Sequence, residues 1–429
     1  MRLVVIGAGY VGLVTAACLA DAGHRVVCVE RDARILGALT RGVVPIFEHG
    51  LEELVQGAVA AGHLAFTSDL AVAVADAEVA FITVGAVPQV RAVAAELARS
   101  MPAASVIVTK STVPVGTGDE LQRAVLSARP KAALQVVSNP EFLREGSAIA
   151  DFQRPARIVV GTNADRGRAA LEAVYERLGL RASVLFTSRR DAELIKYASN
   201  AFLATKIAFV NELADLAERV GADVTRVAQG MSLDPRIGLG CLDAGPGYGG
   251  SCFPKDTAEL LRAADEHGVY LRIVQATAAA NEHRKRAMAE RIIAACGGDV
   301  AGKTLAILGL TFKPGTDDMR EAPSLTILPA LARAGAVVRA HDPAGGRRAA
   351  LLMREVAVFD DAYTCLQDCD AAVLLTEWPE YAGLDLERVR TALRQPILID
   401  LRNAIVPAEA AKHGLQHHGI GRPRTRSLR

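Results

Sequence analysis

The first thirty residues constrain this chain most. Arg2 is followed by an uncharged, mostly apolar run from Leu3 to Ala20, which imitates the charged start and apolar centre of a signal peptide and approaches the lower length limit of a membrane span. Gly7, Gly9 and Gly12 inside it are spaced G-x-G-x-x-G. Leu3-Val4-Val5-Ile6 reads as a short buried strand and Leu13 to Ala20 as a helix closing near Asp21-Ala22-Gly23. Arg25 to Glu30 reads as a second β-branched strand ending in an acid, 18 positions after the third glycine. Strand, glycines, helix, strand and acid together make a βαβ dinucleotide site and argue against a leader or anchor. Gly7 makes the tight turn, Gly9 lets backbone approach a pyrophosphate, and Gly12 lets helix and strand pack closely. The phosphates would sit on the helix N-terminus, where unpaired N–H groups and the helix dipole favour anions. Glu30 would take ribose hydroxyls and repel a 2′-phosphate, which favours NAD over NADP, with Arg31 and Arg34 close by.

Further strand-like runs fall at Val79–Val84, Ser105–Thr109, Gln135–Ser138 and Arg157–Gly161, with helical stretches between several of them: the pattern of a doubly wound parallel sheet. From Asp191 the texture changes. Asp191 to Val220 has no Gly or Pro and predicts a helix of about 45 Å at the usual rise per residue. Helices are expected at Ala222–Gln229, Lys255–His267 and about Ile273 to Cys296. Alternating α/β texture returns with Thr304–Leu308, Val337–Ala340, Ala371–Leu375 and Ile397–Asp400. The fold class is therefore α/β: two Rossmann-like doubly wound parallel sheets joined by a long central helix and a helical domain. The expected boundaries are 1–190, 191–296 and 297–420, with 421–429 a basic, disordered tail or, alternatively, a contact for an anionic partner.

Composition narrows the function. With 49 Lys plus Arg against 48 Asp plus Glu, the net charge is +1, and 19 aromatics serve the whole chain. That balance argues against a nucleic-acid wrap or base stacking, and no later segment reaches spanning length without charge. Seven cysteines, an odd number, do not form a disulfide framework and fit a reducing, cytoplasmic setting in which one thiol has a task. Cys18, Cys28 and Cys296 sit in apolar runs and read as core. Cys365-x3-Cys369 lacks a second ligand pair, so no metal is expected. Cys252 stands apart. It follows a run of glycines (Gly245, Gly247, Gly249, Gly250) and precedes Pro254, which suits the first turn of a helix. A helix N-terminus with Lys255 nearby stabilises a thiolate.

Other polar groups cluster in motif-like segments. Lys196 and Asn200 are four apart and share a helix face. The chain uses 40 arginines and nine lysines, so a retained Lys at 196, 255 or 313 suggests a need for a compact ammonium. Glu141 and Glu145 follow one strand and Lys110-Ser-Thr112 ends another, on the side where doubly wound sheets bind ligands. The segment from Gly309 through Lys313 to Arg320 occupies the first strand-to-helix turn of the last unit. It lacks G-x-G-x-x-G and reads as a nucleotide or partner surface, not a second NAD site.

Together these segments resemble the UDP-glucose/GDP-mannose dehydrogenase family, and within it the UDP-glucose 6-dehydrogenases. The matching stretches are GAGYVGL from Gly7, KSTVP from Lys110, NPEFLREG from Asn139, ELIKYASNAF from Glu193, DPRIG from Asp234, AGPGYGGSCFPKD from Ala244, LGLTFKPGTDDMRE from Leu308 and DLRN from Asp400. The GDP-mannose members match less well in DPRIG and GPGYGG, and the N-acetylhexosamine members usually lack FPKD. The resemblance implies a four-electron oxidation of a UDP-sugar, C6 alcohol to carboxylate, with two NAD reduced. Cys252 would form a thiohemiacetal and then a thioester. Asp256 and Lys196 would handle protons, Lys196 with Asn200 would stabilise the oxyanion, and Glu141 would assist hydrolysis with Thr112 near the water.

Cofactor contacts implied are Gly7, Gly9, Tyr10, Val11, Gly12, Glu30, Thr112, Glu145, Lys255 and Arg320. Substrate contacts implied are Glu141, Phe142, Leu143, Arg144, Glu145, Lys196, Asn200, Lys313, the loop including Cys241, Leu242, Asp243, Ala244, Gly245 and Gly249, and Arg236 from a partner subunit of a homodimer or higher homo-oligomer. Three positions depart from the family pattern. Gly85-Ala86-Val87-Pro88 replaces a Gly-Thr-Pro segment, Cys241 stands where Phe is usual, and Ile35 stands where a basic residue is common. The alternatives are the same chemistry on GDP-mannose or a UDP-hexosamine, or an impaired nucleotide-sugar-binding protein.

Overall fold

The computed structural model describes residues 1–179 and 183–423, in two compact units, Met1–Ala198 and Ser199–Arg429. In the first unit, strands β1 (Arg2–Ile6), β2 (Arg25–Val29), β3 (Leu64–Thr67), β4 (Val79–Ile82), β5 (Val106–Thr109), β6 (Gln135–Ser138), β7 (Arg157–Gly161) and β8 (Ser183–Thr187) form one sheet in the order 3-2-1-4-5-6-7-8. The chain doubles back between β3 and β4, so the β1–β4 seam is the topological switch point, where such sheets bind ligands. Alternate residues of the central strands face two separate cores. Leu3, Val5, Phe81 and Val108 enter one, and Val4, Ile6, Ile82 and Ile107 the other. Burial on both faces explains why these strands read as continuous apolar runs.

Helix α1 (Tyr10–Asp21) follows β1, and its entire stretch from Gly12 to Ala20 is buried. The apolar run at the N-terminus is thus spent on a core helix, and among the described residues no helix is long and apolar enough to cross a membrane. One pairing departs from the parallel pattern: β6 meets β7 through a single antiparallel pair, Ser138↔Gly161. A parallel neighbour needs a crossover that returns the chain to the sheet's starting edge. The only helix in that connection, Ala148–Gln153, has six residues, about 9 Å of rise.

Helix α2 (Arg189–Val220) runs for 32 residues, two more at its start than expected from the sequence, and the boundary between units falls within it. In the second unit, α3 (Phe253–Glu266) and α4 (Arg272–Ala295) precede strands β9 (Thr304–Leu308), β10 (Val337–His341), β11 (Ala357–Phe359), β12 (Ala371–Leu374), β13 (Ile397–Asp400) and β14 (Gln416–Gly419). Their order, 11-10-9-12-13-14, repeats that of the first six strands, all parallel. Val210 and Ala214 of α2 and Met288 and Ile292 of α4 share one core with Leu305 and Ile307 of β9. The helical segment and the second sheet therefore form a single unit.

Gly421 and Arg422, expected in the basic tail, are held by the protein. The Gly421 N–H donates to Glu218 at 2.7 Å, and its carbonyl accepts from Val224 at 2.8 Å. The Arg422 guanidinium donates to the Ile405 carbonyl. A glycine at φ +65° is required at 421, because a Cβ there would lie 2.4 Å from Val224. Residues 424–429 lie outside the described residues.

Candidate active site

The glycine turn after β1 has the geometry its spacing predicts. Gly7 adopts φ +102°, and a Cβ on Gly12 would lie 1.8 Å from the Gly7 carbonyl oxygen, so helix and turn touch backbone to backbone. A Cβ on Gly9 would meet nothing within 4 Å, which leaves open space at the helix start. Gly9 caps α1 without a side-chain acceptor, and the first turn carries no acid. Unclaimed N–H groups, Val11 and Gly12 among their residues, thus face space a phosphate fits. These features suit a dinucleotide pyrophosphate.

Glu30 follows β2 as expected, and its carboxylate also braces the turn, accepting the Ala8 N–H at 2.9 Å and the Asp32 N–H at 2.8 Å. Arg31 is paired with Glu96 and Arg34 with Asp32, so neither neighbouring guanidinium is presented without a carboxylate partner. Ala86 caps the helix Val87–Ser100 with no side-chain hydrogen bond, consistent with the missing family threonine.

The Tyr10 hydroxyl makes a short hydrogen bond to Glu48 and accepts the Gly146 N–H. Glu48, nearly buried, also accepts the N–H groups of Gly146 and Ala148 at 2.6 and 2.7 Å. The segment bearing Glu141 and Glu145 is thereby fastened to α1 at its downstream end. Burial is the largest influence on the Tyr10 phenol and raises it, so the hydroxyl stays protonated.

Glu141 and Lys196 form a buried ion pair at 2.9 Å. Burial alone would raise the Glu141 carboxyl. The Lys196 ammonium and its hydrogen bond, the Leu143 N–H at 2.6 Å and the more distant Lys110 ammonium outweigh it and hold the group below the usual carboxylate range. Lys110 is buried against neutral groups, 3.3 Å from both the Asn139 amide oxygen and the Tyr175 hydroxyl. The Phe142 ring lies 5.4 Å from the Lys196 ammonium and 3.9 Å from the Arg157 guanidinium carbon. A small cleft is lined by Thr112, Ser138, Pro140, Glu193 and Lys196, so Thr112 and Lys196 share one site. Glu193 accepts Gly116 N–H, Gly118 N–H and the Ser138 hydroxyl, while burial raises its carboxyl. Arg144 pairs with Asp151 at 2.7 Å.

In the second unit, Cys252 is the N-cap of α3, Pro254 lies in the first turn, and no side chain caps the helix. All seven cysteines are thiols. Burial pushes Cys18, Cys28 and Cys365 up to about 12 and also raises Cys296 and Cys369. Only Cys241 and Cys252 are partly exposed. Asp256, buried on α3, accepts the Asn200 amide at 2.6 Å and pairs with Lys255 at 2.9 Å.

The preceding loop is packed by backbone contact. A Cβ on Gly249 would lie 2.3 Å from the Glu321 carbonyl, and one on Gly250 would lie 2.8 Å from the Phe312 ring. The Gly250 N–H donates to the Arg320 carbonyl at 2.8 Å, while the Arg320 side chain pairs with Asp318. The Lys313 ammonium stands 5.6 Å from the Phe312 ring.

Leu242 and Ala244 bury their side chains in the core. Asp243 lies beside them on the edge of a cleft also lined by Thr225, Gln229, Arg402 and Asn403. Cys241 adopts φ +63°, a left-handed conformation unusual for a residue with a side chain. Arg236 is exposed and paired with Asp234, while Lys206 holds that turn through the Ile237 carbonyl at 3.0 Å. Asp342, the counterpart of Glu30 in the second sheet, accepts from Leu310, Thr311, Trp378, Ala344 and Gly345. Its two oxygens accept six hydrogen bonds from the protein, against two at Glu30.

Glu48, Lys110, Glu193 and Arg402 carry much of this framework, and Glu48 has no distinct sequence signal. Lys110, Glu193 and Arg402 at least fall inside family-like stretches, and Lys110 is one of the few lysines.

The comparisons with known proteins converge. Residues 1–179 match the NAD-binding domain of the UDP-glucose/GDP-mannose dehydrogenase family, residues 190–283 its central domain and residues 306–407 its UDP-binding domain. A UDP-glucose 6-dehydrogenase of Rhizobium meliloti is 51% identical over 99% of this chain and all of its own length. One from Pseudomonas aeruginosa is 44% identical over 99% and 98%. The solved UDP-glucose dehydrogenase of Pyrobaculum islandicum superposes with a TM-score of 0.89 at 37% identity, over 98% of this chain and 97% of that one. With its glycine turn fitted to a dinucleotide and its whole length matched, the chain belongs to the NAD-dependent UDP-glucose/GDP-mannose dehydrogenase family.

Proposed function

We propose that this chain oxidises UDP-glucose to UDP-glucuronate through a thioester on Cys252. The observation that carries this reading is Cys252 at the uncapped N-terminus of α3 behind a closely packed glycine loop. Full-length relatives named UDP-glucose 6-dehydrogenase support the choice of sugar. Gly7, Gly9, Tyr10, Val11, Gly12 and Glu30, with Thr112, Glu145, Lys255 and Arg320, would hold NAD, which would supply the hydride acceptor for the two oxidation stages.

In the first stage Asp256 takes up the C6 hydroxyl proton through water, while the Lys196 ammonium stabilises the developing alkoxide. Cys252 then adds its sulfur to the aldehyde carbon and the thiol proton passes to oxygen, giving a thiohemiacetal. The thiohemiacetal hydroxyl loses its proton to water, Lys196 and Asn200 stabilise the resulting oxyanion, and hydride loss from C6 leaves the thioester. Glu141, held ionised by its lysines, accepts a proton from water beside Thr112. Water oxygen bonds to C6, the C–S bond breaks, and Cys252 leaves as a thiol. Covalent capture divides one difficult oxidation into easier steps and retains the aldehyde. Glu141, Phe142, Leu143, Arg144, Glu145, Lys313 and the loop from Cys241 to Gly249 contact the UDP-sugar.

A homodimer fits the same reading. Phe202, Phe209 and Leu216 are exposed at seven-residue spacing along α2, an apolar seam suited to a second copy, and Arg236 would reach the partner's site. Seven free thiols fit a reducing cytoplasm. Purified protein with NAD and a panel of UDP- and GDP-sugars tests the assignment. NADH and acid should form with UDP-glucose. Turnover confined to another sugar would move the substrate, and tight UDP-sugar binding without NADH would make it a binding protein.

A further inference from the structure

The loop that delivers Cys252 has little secondary structure of its own, yet two of its peptides are held on both sides by side chains. The Gly245 N–H donates to Asn211 Oδ1 at 2.8 Å, and its carbonyl accepts Arg284 Nε at 3.0 Å. The Tyr248 N–H donates to Asn281 Oδ1 at 2.8 Å, and its carbonyl accepts Asn281 Nδ2 at 3.1 Å. A single carboxamide thus binds one residue's backbone as a neighbouring strand would.

Asn281 is 3% exposed in the middle of α4, where asparagine is a poor helix former and a buried amide needs partners. Gly247 is matched to it: at φ +114° a Cβ there would lie 2.9 Å from Asn281 Oδ1. The Tyr248 ring stands edge-on to Phe253, centroids 6.0 Å apart, and Phe253 is the first residue of the helix that Cys252 caps. Burial pushes the Tyr248 phenol up to about 12, and its hydroxyl meets Thr257 one turn further on.

We propose that Asn281 is a positioning residue for Cys252: it grips the Tyr248 peptide, and the Tyr248 ring sets where α3 and its N-terminal thiol lie. The proposal rests on Cys252 being the nucleophile of the reaction above. Its signature is a change in product partition. A misplaced thiol leaves the first oxidation intact and lets aldehyde escape before capture.

Asn281→Ala removes both bonds. Asn281→Asp retains the acceptor and the size but loses the Nδ2 donor, and it serves if the alanine variant does not fold. Each is compared with the wild-type protein for NADH formed per UDP-glucuronate, for aldehyde trapped by a hydrazine, and for amide exchange of the 244–252 segment without ligands. At least one folded variant should show an NADH-to-acid ratio above two, trapped aldehyde, a KM for NAD within about twofold of wild type, and at least tenfold faster exchange confined to that segment. A ratio fixed at two with unchanged exchange would overturn the proposal, as would a loss of turnover tracking melting temperature alone. Absence of acid from the wild-type protein would instead refute the proposed function, and exchange would still decide whether Asn281 holds the loop.

Discussion

Replacing Lys196 by methionine isolates the buried charge pair. Lys196 and Glu141 are both under a tenth exposed and 2.9 Å apart, so methionine fills the space while stranding a carboxylate. Removing one partner of such a pair costs about 3–5 kcal/mol. The Leu143 N–H and the Lys110 charge remain to Glu141, which places the expected loss near the lower end, about 3 kcal/mol at pH 7.

The pH dependence has a definite sign. In the wild-type protein Glu141 is held below its ordinary value, so its contribution is present at neutral pH and fades as pH falls through that depressed value. In Lys196→Met, burial lifts the carboxyl above its unfolded value, so the penalty is present at neutral pH and disappears as the group protonates. The gap between the two proteins should therefore narrow from pH 7 to about pH 4, as the variant's penalty disappears, and close only at lower pH, as the wild-type contribution fades. Adding Glu141→Gln to Lys196→Met should recover much of the loss, because no uncompensated charge is left buried. Denaturant unfolding of the wild-type protein, Lys196→Met and the double variant across pH is the assay. A loss under about 1 kcal/mol, a gap independent of pH, or a double variant no better than the single one would refute the reasoning.

Gly12→Ala should fail to bind NAD and melt earlier, since its methyl would lie 1.8 Å from the Gly7 oxygen; NAD titration and a thermal scan check this. Glu30→Ala should relax the NAD-to-NADP preference in kcat/KM and also loosen the turn held through Ala8 and Asp32; an unchanged ratio would count against its ribose role. Cys252→Ser should stall after aldehyde formation or at a slowly hydrolysed ester, seen by quenched-flow product analysis.

The glycine turn was legible because its requirements are local: Gly7, Gly9 and Gly12 act on backbone within six residues of each other. Strands β1, β4 and β5 were legible because both faces are buried. Strands β3, β8, β11 and β14 are the edge strands of the two sheets and show little burial, and within them apolar runs reach at most three residues, which is why the sequence reading passes over them. The reversed direction of β7 depends on how a short connection closes, which residue texture does not record. Glu48 and Asn281 were hidden for another reason. Their partners Gly146 and Tyr248 lie 98 and 33 positions away, and a single Glu or Asn on a helix or loop carries no mark of such a partner. Cys252 could be singled out because proline and glycine frame it in sequence.

The most direct test of the central claim is the electron count. Purified enzyme given limiting UDP-glucose and excess NAD, with a hydrazine present to trap free aldehyde, should yield two NADH and one UDP-glucuronate per sugar consumed and no trapped aldehyde. One NADH per sugar with the aldehyde recovered as its hydrazone would contradict covalent capture by Cys252.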